Sequence, residues 1–231
     1  MTIIKCAAVL FDLDGVLVDS SAVIKRHWYR WAERHGLDPE ETYQAGLGKR
    51  TVEQVRMFAP HLDVEAEAHK IDSAEAVDAE GVKEIPGAAI LLDRLPADRW
   101  GIVTSGTHDT ATTRIAAVGL SRPQVFITAE DVVHGKPDPE AYLLGAEGLG
   151  ASPEKCLVLE DSPSGVAAAK SAGMQVIAVA STHDTEDLRV ADVVVRDLQG
   201  FEVRLQDTPG RDKGGRSGQD RIIEFRIDSE A

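Results

Sequence analysis

Short, mostly apolar runs recur along this chain, separated by longer stretches whose apolar positions return every three or four residues. The runs Cys6-Ala7-Ala8-Val9-Leu10-Phe11, Trp100-Gly101-Ile102-Val103-Thr104, Val125-Phe126-Ile127-Thr128, Cys156-Leu157-Val158-Leu159, Val176-Ile177-Ala178-Val179 and Asp192-Val193-Val194-Val195 have strand length. They are too short to span a membrane. Between them, residues 88–95, 109–118, 139–148 and 163–172 read as helices, two of them closed by Gly119 and Gly173. Fully apolar strands alternating with helices predict an α/β fold, a Rossmann-like parallel sheet with helices on both faces.

The pattern changes between residues 16 and 84. Ile24, Trp28, Trp31 and His35 recur at helical spacing and Gly36 is a good stop. Packing inside a small helical body explains both tryptophans, and His27 and His35 read as helix-surface or packing residues. Thr51 with Gln54 three residues on has the form of a capping box. Residues 64–81 are acidic and Ala-rich, which predicts a mostly solvated helix with a modest apolar stripe. The expected organisation is a core from residues 1–15 and 85–200, an inserted all-helical domain over 16–84, and a terminal segment over 201–231. In that segment, Phe201-Glu202-Val203-Arg204-Leu205 and Ile222-Ile223-Glu224-Phe225-Arg226-Ile227 alternate around a turn-rich stretch. A hairpin is expected there, with an unstructured tail as the competing reading.

In open parallel sheets, ligands bind at the carboxyl ends of the strands, so the residues that follow each strand are the candidates. After the first come Asp12 and Asp14, two apart and so on one side if strand geometry persists, with Gly15 releasing the turn. Two carboxylates at one strand end repel, and a hard cation such as Mg²⁺ is the economical answer. Four residues of that type also match an ordinary turn. After the second strand comes Thr104-Ser105-Gly106-Thr107, which suits either a phosphate or a plain helix cap. Past the third, Lys136 is held between Gly135 and Pro137, and the fourth is followed by Glu160-Asp161-Ser162-Pro163.

Charge narrows the partners. Over 231 residues, Lys and Arg total 25 against 39 Asp and Glu, a formal charge of −14. Nucleic acid and anionic membranes need clustered cations and are poor partners for such a chain. The cysteines are Cys6 and Cys156, each inside an apolar run, so buried thiols in a reducing cytoplasm are expected rather than a disulfide. The N-terminus lacks the apolar core and cleavage site of a signal peptide.

The string Phe11-Asp12-Leu13-Asp14-Gly15-Val16-Leu17-Val18-Asp19-Ser20 resembles the first motif of the haloacid dehalogenase superfamily. With the three later strand-end signatures, in this order and spacing, the likeness is to that superfamily's phosphatases with a small helical cap. It covers the chain to about Leu198. Ile102-Val103-Thr104-Ser105-Gly106-Thr107, Phe126-Ile127-Thr128-Ala129-Glu130 and Gly135-Lys136-Pro137 are similar to the phosphatases of hexose phosphates and 2-deoxyglucose 6-phosphate, and to their glycerol-phosphate relatives. The resemblance implies Asp12 as nucleophile and Asp14 as acid/base. It implies Mg²⁺ on Asp12, the Asp14 carbonyl and Asp161, with Glu160 supporting that shell. Ser105, favoured over Thr104, would hold the phosphate with the Gly106 amide and Lys136. Lys49, in the basic loop Gly46-Leu47-Gly48-Lys49-Arg50, would reach the sugar, with Arg50 the less certain partner. The expected ligand is a small phosphorylated sugar or polyol, and the expected state a monomer. A phosphosugar mutase and a non-catalytic phosphosugar-binding protein share the core residues. A phosphonate hydrolase using Lys49 as a Schiff base has no need of Asp14, and a true dehalogenase needs neither Mg²⁺ nor the second Asp.

Overall fold

The computed structural model describes residues 1–211 and 217–227. The first apolar run is broken in two: β1 (Thr2–Cys6) ends at Cys6, and β2 (Ala8–Phe11) carries the run to the site. A short β3 (Val18–Asp19) leads into four helices, α1 (Ser21–His35), α2 (Pro39–Gly46), α3 (Thr51–Phe58) and α4 (Val64–Glu75), and β4 (Lys83–Glu84) leads out. Then follow α5 (Ala88–Asp93), β5 (Trp100–Val103), α6 (His108–Ala117), β6 (Val125–Ile127), α7 (Glu140–Gly148), β7 (Cys156–Glu160), α8 (Pro163–Ser171), β8 (Gln175–Val179) and β9 (Val193–Val195). The chain closes with β10 (Glu202–Arg211) and β11 (Ser217–Ile227).

Six strands form one parallel sheet in the order β6-β5-β2-β7-β8-β9. Alternation along β2 sends Val9 and Phe11 to one face and Ala8 and Leu10 to the other. On the first face they meet Leu91 of α5, Ala111 and Ile115 of α6, and Ile223 and Phe225 of β11. On the second they meet Tyr142 of α7 and Val166 and Ala169 of α8. Because β2 lies between β5 and β7, the sheet changes winding direction there, and a crevice opens beyond its carboxyl end.

The four helices between β3 and β4 have a core of their own around Trp28, Trp31, Val55, Ala59, Ala68 and Ile71. The two tryptophan rings meet edge to face at 5.4 Å, and Trp31 Nε1 donates to Glu67 at 3.1 Å. His35 lies tilted against the Trp31 ring and His27 pairs with Asp78, so both histidines do packing work. The capping expectation needs correction by one residue. Thr51 already belongs to α3, and it is Glu53 that reaches back to the Arg50 N–H, at 3.4 Å. Gln54 is buried and donates to the Thr42 carbonyl at 2.7 Å.

β10 and β11 pair antiparallel, and β1 joins as a third strand from Thr2↔Ile227 to Cys6↔Ile223. The middle of the turn-rich stretch, residues 212–216, lies outside the described residues. Cys6 and Cys156 are both buried and free. Among the described residues, no helix is long and apolar enough to cross a membrane.

Candidate active site

The carboxyl ends of β2, β5 and β7 face a cavity of about 220 Å³, closed from the other side by α1–α4 and their loops. Asp12 follows β2 directly, and its N–H donates to the Leu159 carbonyl of β7 at 2.9 Å, which fixes its backbone between two strands. Its side chain is reached from behind by Lys136, which arrives on the turn between β6 and α7. Lys136 is 4% exposed. Its ammonium sits 2.5 Å from Asp12 Oδ1, 2.6 Å from Glu160 Oε1 and 3.3 Å from the Val103 carbonyl. Glu160 ends β7 and also accepts from the Tyr142 hydroxyl at 2.8 Å and from the Asp161 and Ser162 N–H groups at 2.8 and 2.9 Å. Every face of this carboxylate is used. It therefore anchors Lys136, and neither residue lines the cavity, which begins at Asp12.

Asp14 stands on the cavity side. Ser20, at the start of α1, donates to its Oδ1 at 2.5 Å, and Arg114 Nη1 of α6 donates to its Oδ2 at 2.7 Å. Arg114 is itself buried and spends its Nη2 on Glu75 Oε2, at the end of α4, at 2.5 Å. Asp161 opens the loop into α8 and accepts from the Thr182 hydroxyl. Gly15, at φ +82°, passes so close that a Cβ there would lie 2.1 Å from Asp161 Oδ2. Only glycine meets both demands.

The electrostatics of the floor are lopsided. Asp12, Glu160 and Asp161 are buried carboxylates around one buried cation, Lys136. Burial pushes the Asp12 carboxyl up to about 8 against the pull of Lys136. Burial, with Glu160 and Asp12 nearby, holds Asp161 well above the usual carboxylate range. Burial opposes charge on Lys136 too, but Asp12 and Glu160 prevail and keep it firmly protonated. For Glu160 the penalty of burial is outweighed by Lys136, and its pKa falls. Asp12 and Asp161 thus lack a second positive charge, and both present hard oxygens to the cavity. That donor set fits Mg²⁺, which takes one or two carboxylates and keeps its other positions for water and phosphate. Among the described residues no group of three His, Cys, Asp or Glu side chains is arranged for a metal. The set here is two carboxylates, with the Asp14 carbonyl as the expected third oxygen.

The hydroxyl-rich turn after β5 also borders the cavity. The Ser105 hydroxyl donates to the Gly48 carbonyl of the loop after α2 at 3.0 Å, and the Gly106 N–H donates to Thr104 Oγ1 at 3.1 Å. Thr104 is thereby committed to its own turn, while Ser105 faces the helical side. Lys49 borders the cavity as well, with its Nζ on the Ala45 carbonyl at 2.8 Å. Arg50 does not border it. Its guanidinium holds Glu53 and the Val132 and Val133 carbonyls, clamping the loop to the sheet layer.

Asp12, Asp14, Ser105, Gly106, Asp161 and Lys49 therefore converge on one cavity, with Lys136 behind Asp12. Sequence reading missed Arg114, Glu75, Ser20 and Thr182. Arg114 had a signal: it stands on the buried stripe Thr110, Ala111, Arg114, Ile115, where an apolar residue is expected.

A family model described as haloacid dehalogenase-like hydrolase matches residues 6–173. Hexitol phosphatase A of Escherichia coli (strain K12) is 44% identical over 87% of this chain and 96% of its own length. Glycerol-1-phosphate phosphohydrolase 2 of Saccharomyces cerevisiae is 35% identical over 97% of this chain and 92% of its own. Among solved structures, a hydrolase from Pseudomonas syringae superposes with a TM-score of 0.74 at 28% identity, covering 83% of this chain and 94% of that one.

Proposed function

The chain belongs to the haloacid dehalogenase-like hydrolases, and from that premise we propose that it is a Mg²⁺-dependent phosphatase of small phosphorylated polyols or sugars. The observation that carries this reading is the pairing of Asp12, fixed from behind by Lys136, with Asp14, turned to the cavity by Ser20 and Arg114. In this reading one carboxylate attacks and the other manages a proton. Relatives of 44% and 35% identity named for hexitol and glycerol 1-phosphate support the substrate class.

Asp12 attacks phosphorus and forms an aspartyl-phosphate while the ester oxygen departs with a proton from Asp14. Asp14 then takes a proton from the water that cleaves the aspartyl-phosphate, returning both carboxyls to their starting state. Lys136 keeps the other Asp12 oxygen from rotating. Ser105 and the Gly106 amide exchange their present partners, Gly48 and Thr104, for phosphate oxygens. Asp12, Asp161 and the Asp14 carbonyl would hold the Mg²⁺, whose charge offsets a carboxylate–phosphate repulsion of about 4 kcal/mol per charge pair at 4 Å. The helical insert acts as the cap that shuts water out and faces the part of the substrate that differs between phosphomonoesters.

Phosphate release from an aryl phosphate and from a hexitol phosphate, with Mg²⁺ and after chelation, tests the reading. Release that needs Mg²⁺ and disappears in Asp12→Asn is expected. Isomerisation of a sugar phosphate that needs a sugar bisphosphate and frees no phosphate would assign a mutase, and binding with neither outcome a phosphosugar-binding protein.

A further inference from the structure

Among the described residues, two buried side-chain polar atoms have no hydrogen-bond partner: Glu75 Oε1 and Arg114 Nε. Both belong to residues that border the cavity, and the two are bonded to each other through Arg114 Nη2 and Glu75 Oε2. Glu75 is 6% exposed and Arg114 3%. A buried polar atom without a partner is costly, and a charged one more so. One group here is an acceptor and the other a donor. Nearby polar groups are already engaged: Thr51 donates to Asp72 at 2.5 Å, and Thr107 to Thr110 at 2.9 Å.

We propose that Glu75 and Arg114 together read a hydroxyl on the substrate's tail, which makes Glu75 a specificity-determining residue supplied by the helical insert. A hydroxyl donates its proton to Glu75 Oε1 and accepts from Arg114 Nε, satisfying both atoms with one group or with two adjacent ones. An ammonium cannot accept from Nε. A carboxylate or second phosphate has no proton for Oε1 and would add a negative charge beside Asp14 and Asp72. An alkyl tail leaves both atoms bare. The substrate class is therefore a phosphate monoester whose tail carries neutral hydroxyls. The inference rests on the phosphatase reading and adds to it the residue that chooses the tail.

Because Arg114 also touches Asp14, a fall in rate at Glu75 alone would be ambiguous. The test is a ratio. Hexitol phosphate and n-hexyl phosphate share a primary alkyl leaving group and differ in tail hydroxyls, so effects passing through Asp14 divide out of the ratio of their kcat/KM values. The wild type is expected to favour the hexitol ester by about 100-fold or more, since a site built for a hydroxyl rejects the analogue that lacks it. Glu75→Ala should bring the ratio below about 10-fold, and the near-isosteric Glu75→Gln, checked for native Tm, should fall between, because its amide still bonds Arg114. A ratio unmoved in both variants, with wild type active on both esters, overturns this inference alone. A wild type that releases phosphate from neither ester overturns the phosphatase reading and this inference with it.

Discussion

Lys136 and Lys49 approach the same cavity from opposite sides, one from behind Asp12 and one on its border, and the chain treats them in opposite ways. Lys136 is buried with two carboxylates and a carbonyl around its ammonium, and the groups that hold it are themselves held. Even the neighbouring helix leaves no slack: a Cβ on Gly165 would fall 1.7 Å from Glu160 Oε1. Lys49 is half-buried, sits on a loop next to Gly48 at φ +77°, and offers its ammonium to one neutral carbonyl, Ala45. The floor of the cavity is over-determined, as preorganised charge requires. The roof is held by bonds that a ligand can exchange at small cost.

The sharpest break between the two is expected from Asp12→Asn. We expect kcat to fall by at least about 10⁴-fold, as when a covalent nucleophile is removed. Its fold should survive, since Asn keeps the volume of Asp and Lys136 retains Glu160 and the Val103 carbonyl. Turnover near the wild-type level in a folded variant would contradict the floor's assignment.

Lys136→Met should follow closely, with loss of activity and about 3–5 kcal/mol of stability in denaturant melts, because it strips the buried carboxylates of their cation. A melt unchanged from wild type would mean that the floor is not organised around this lysine.

Cutting the chain after Leu205 tests whether stability and chemistry separate. It removes Ile223, Phe225 and Ile227, each buried and each worth at most about 1.5–3 kcal/mol, while leaving every strand-end group in place. The midpoint of unfolding should drop steeply with kcat within a few-fold in whatever folds. A folded but inactive product would put a site group in the hairpin.

On the roof the effects shrink. Arg50→Ala frees the loop from Val132 and Val133 and should raise KM several-fold with little change in kcat. Lys49→Ala should be smallest, about 2–5-fold in kcat/KM on a hexitol phosphate and less on an aryl phosphate, the range of one exchanged hydrogen bond. A loss above about 100-fold would move Lys49 into the class of Lys136 and erase the contrast.

How much of this was legible depended on whether the cause was local. The six-stranded parallel sheet was readable because each buried strand is an unbroken apolar run, and strand-end groups follow from chain order. β1 was not, because its partner lies more than 200 residues away, and nothing within Thr2–Cys6 announces Ile223–Ile227. Glu75 hid inside a helix read as solvated. Its acidic, Ala-rich composition masked the stripe Ala68, Ile71, Glu75 that turns inward. Arg114 was passed over because an isolated helical arginine is ordinarily wet, and its partners come from two other segments, Asp14 and Glu75. The exchange of Lys136 with Glu160 behind Asp12, rather than directly on the cavity, is likewise a matter of depth, which spacing along a chain does not encode.

The small ribbon of β3 and β4 has a consequence for timing. Both passages between the sheet layer and the helices run through it, Val18 facing Glu84 and Asp19 facing Lys83, with Ile85 N–H bonded to the Leu17 carbonyl just outside. Two passages tied to each other make one joint between the sheet layer and the helices, with the helices as the gate and the ribbon as its pin. Ser20 lies immediately past the pin and Glu75 at the far end of the gate, and between them they set both oxygens of Asp14, one directly and one through Arg114. A displacement of the helices at that joint would therefore be felt at both Asp14 oxygens at once, through Ser20 on one and through Glu75 and Arg114 on the other.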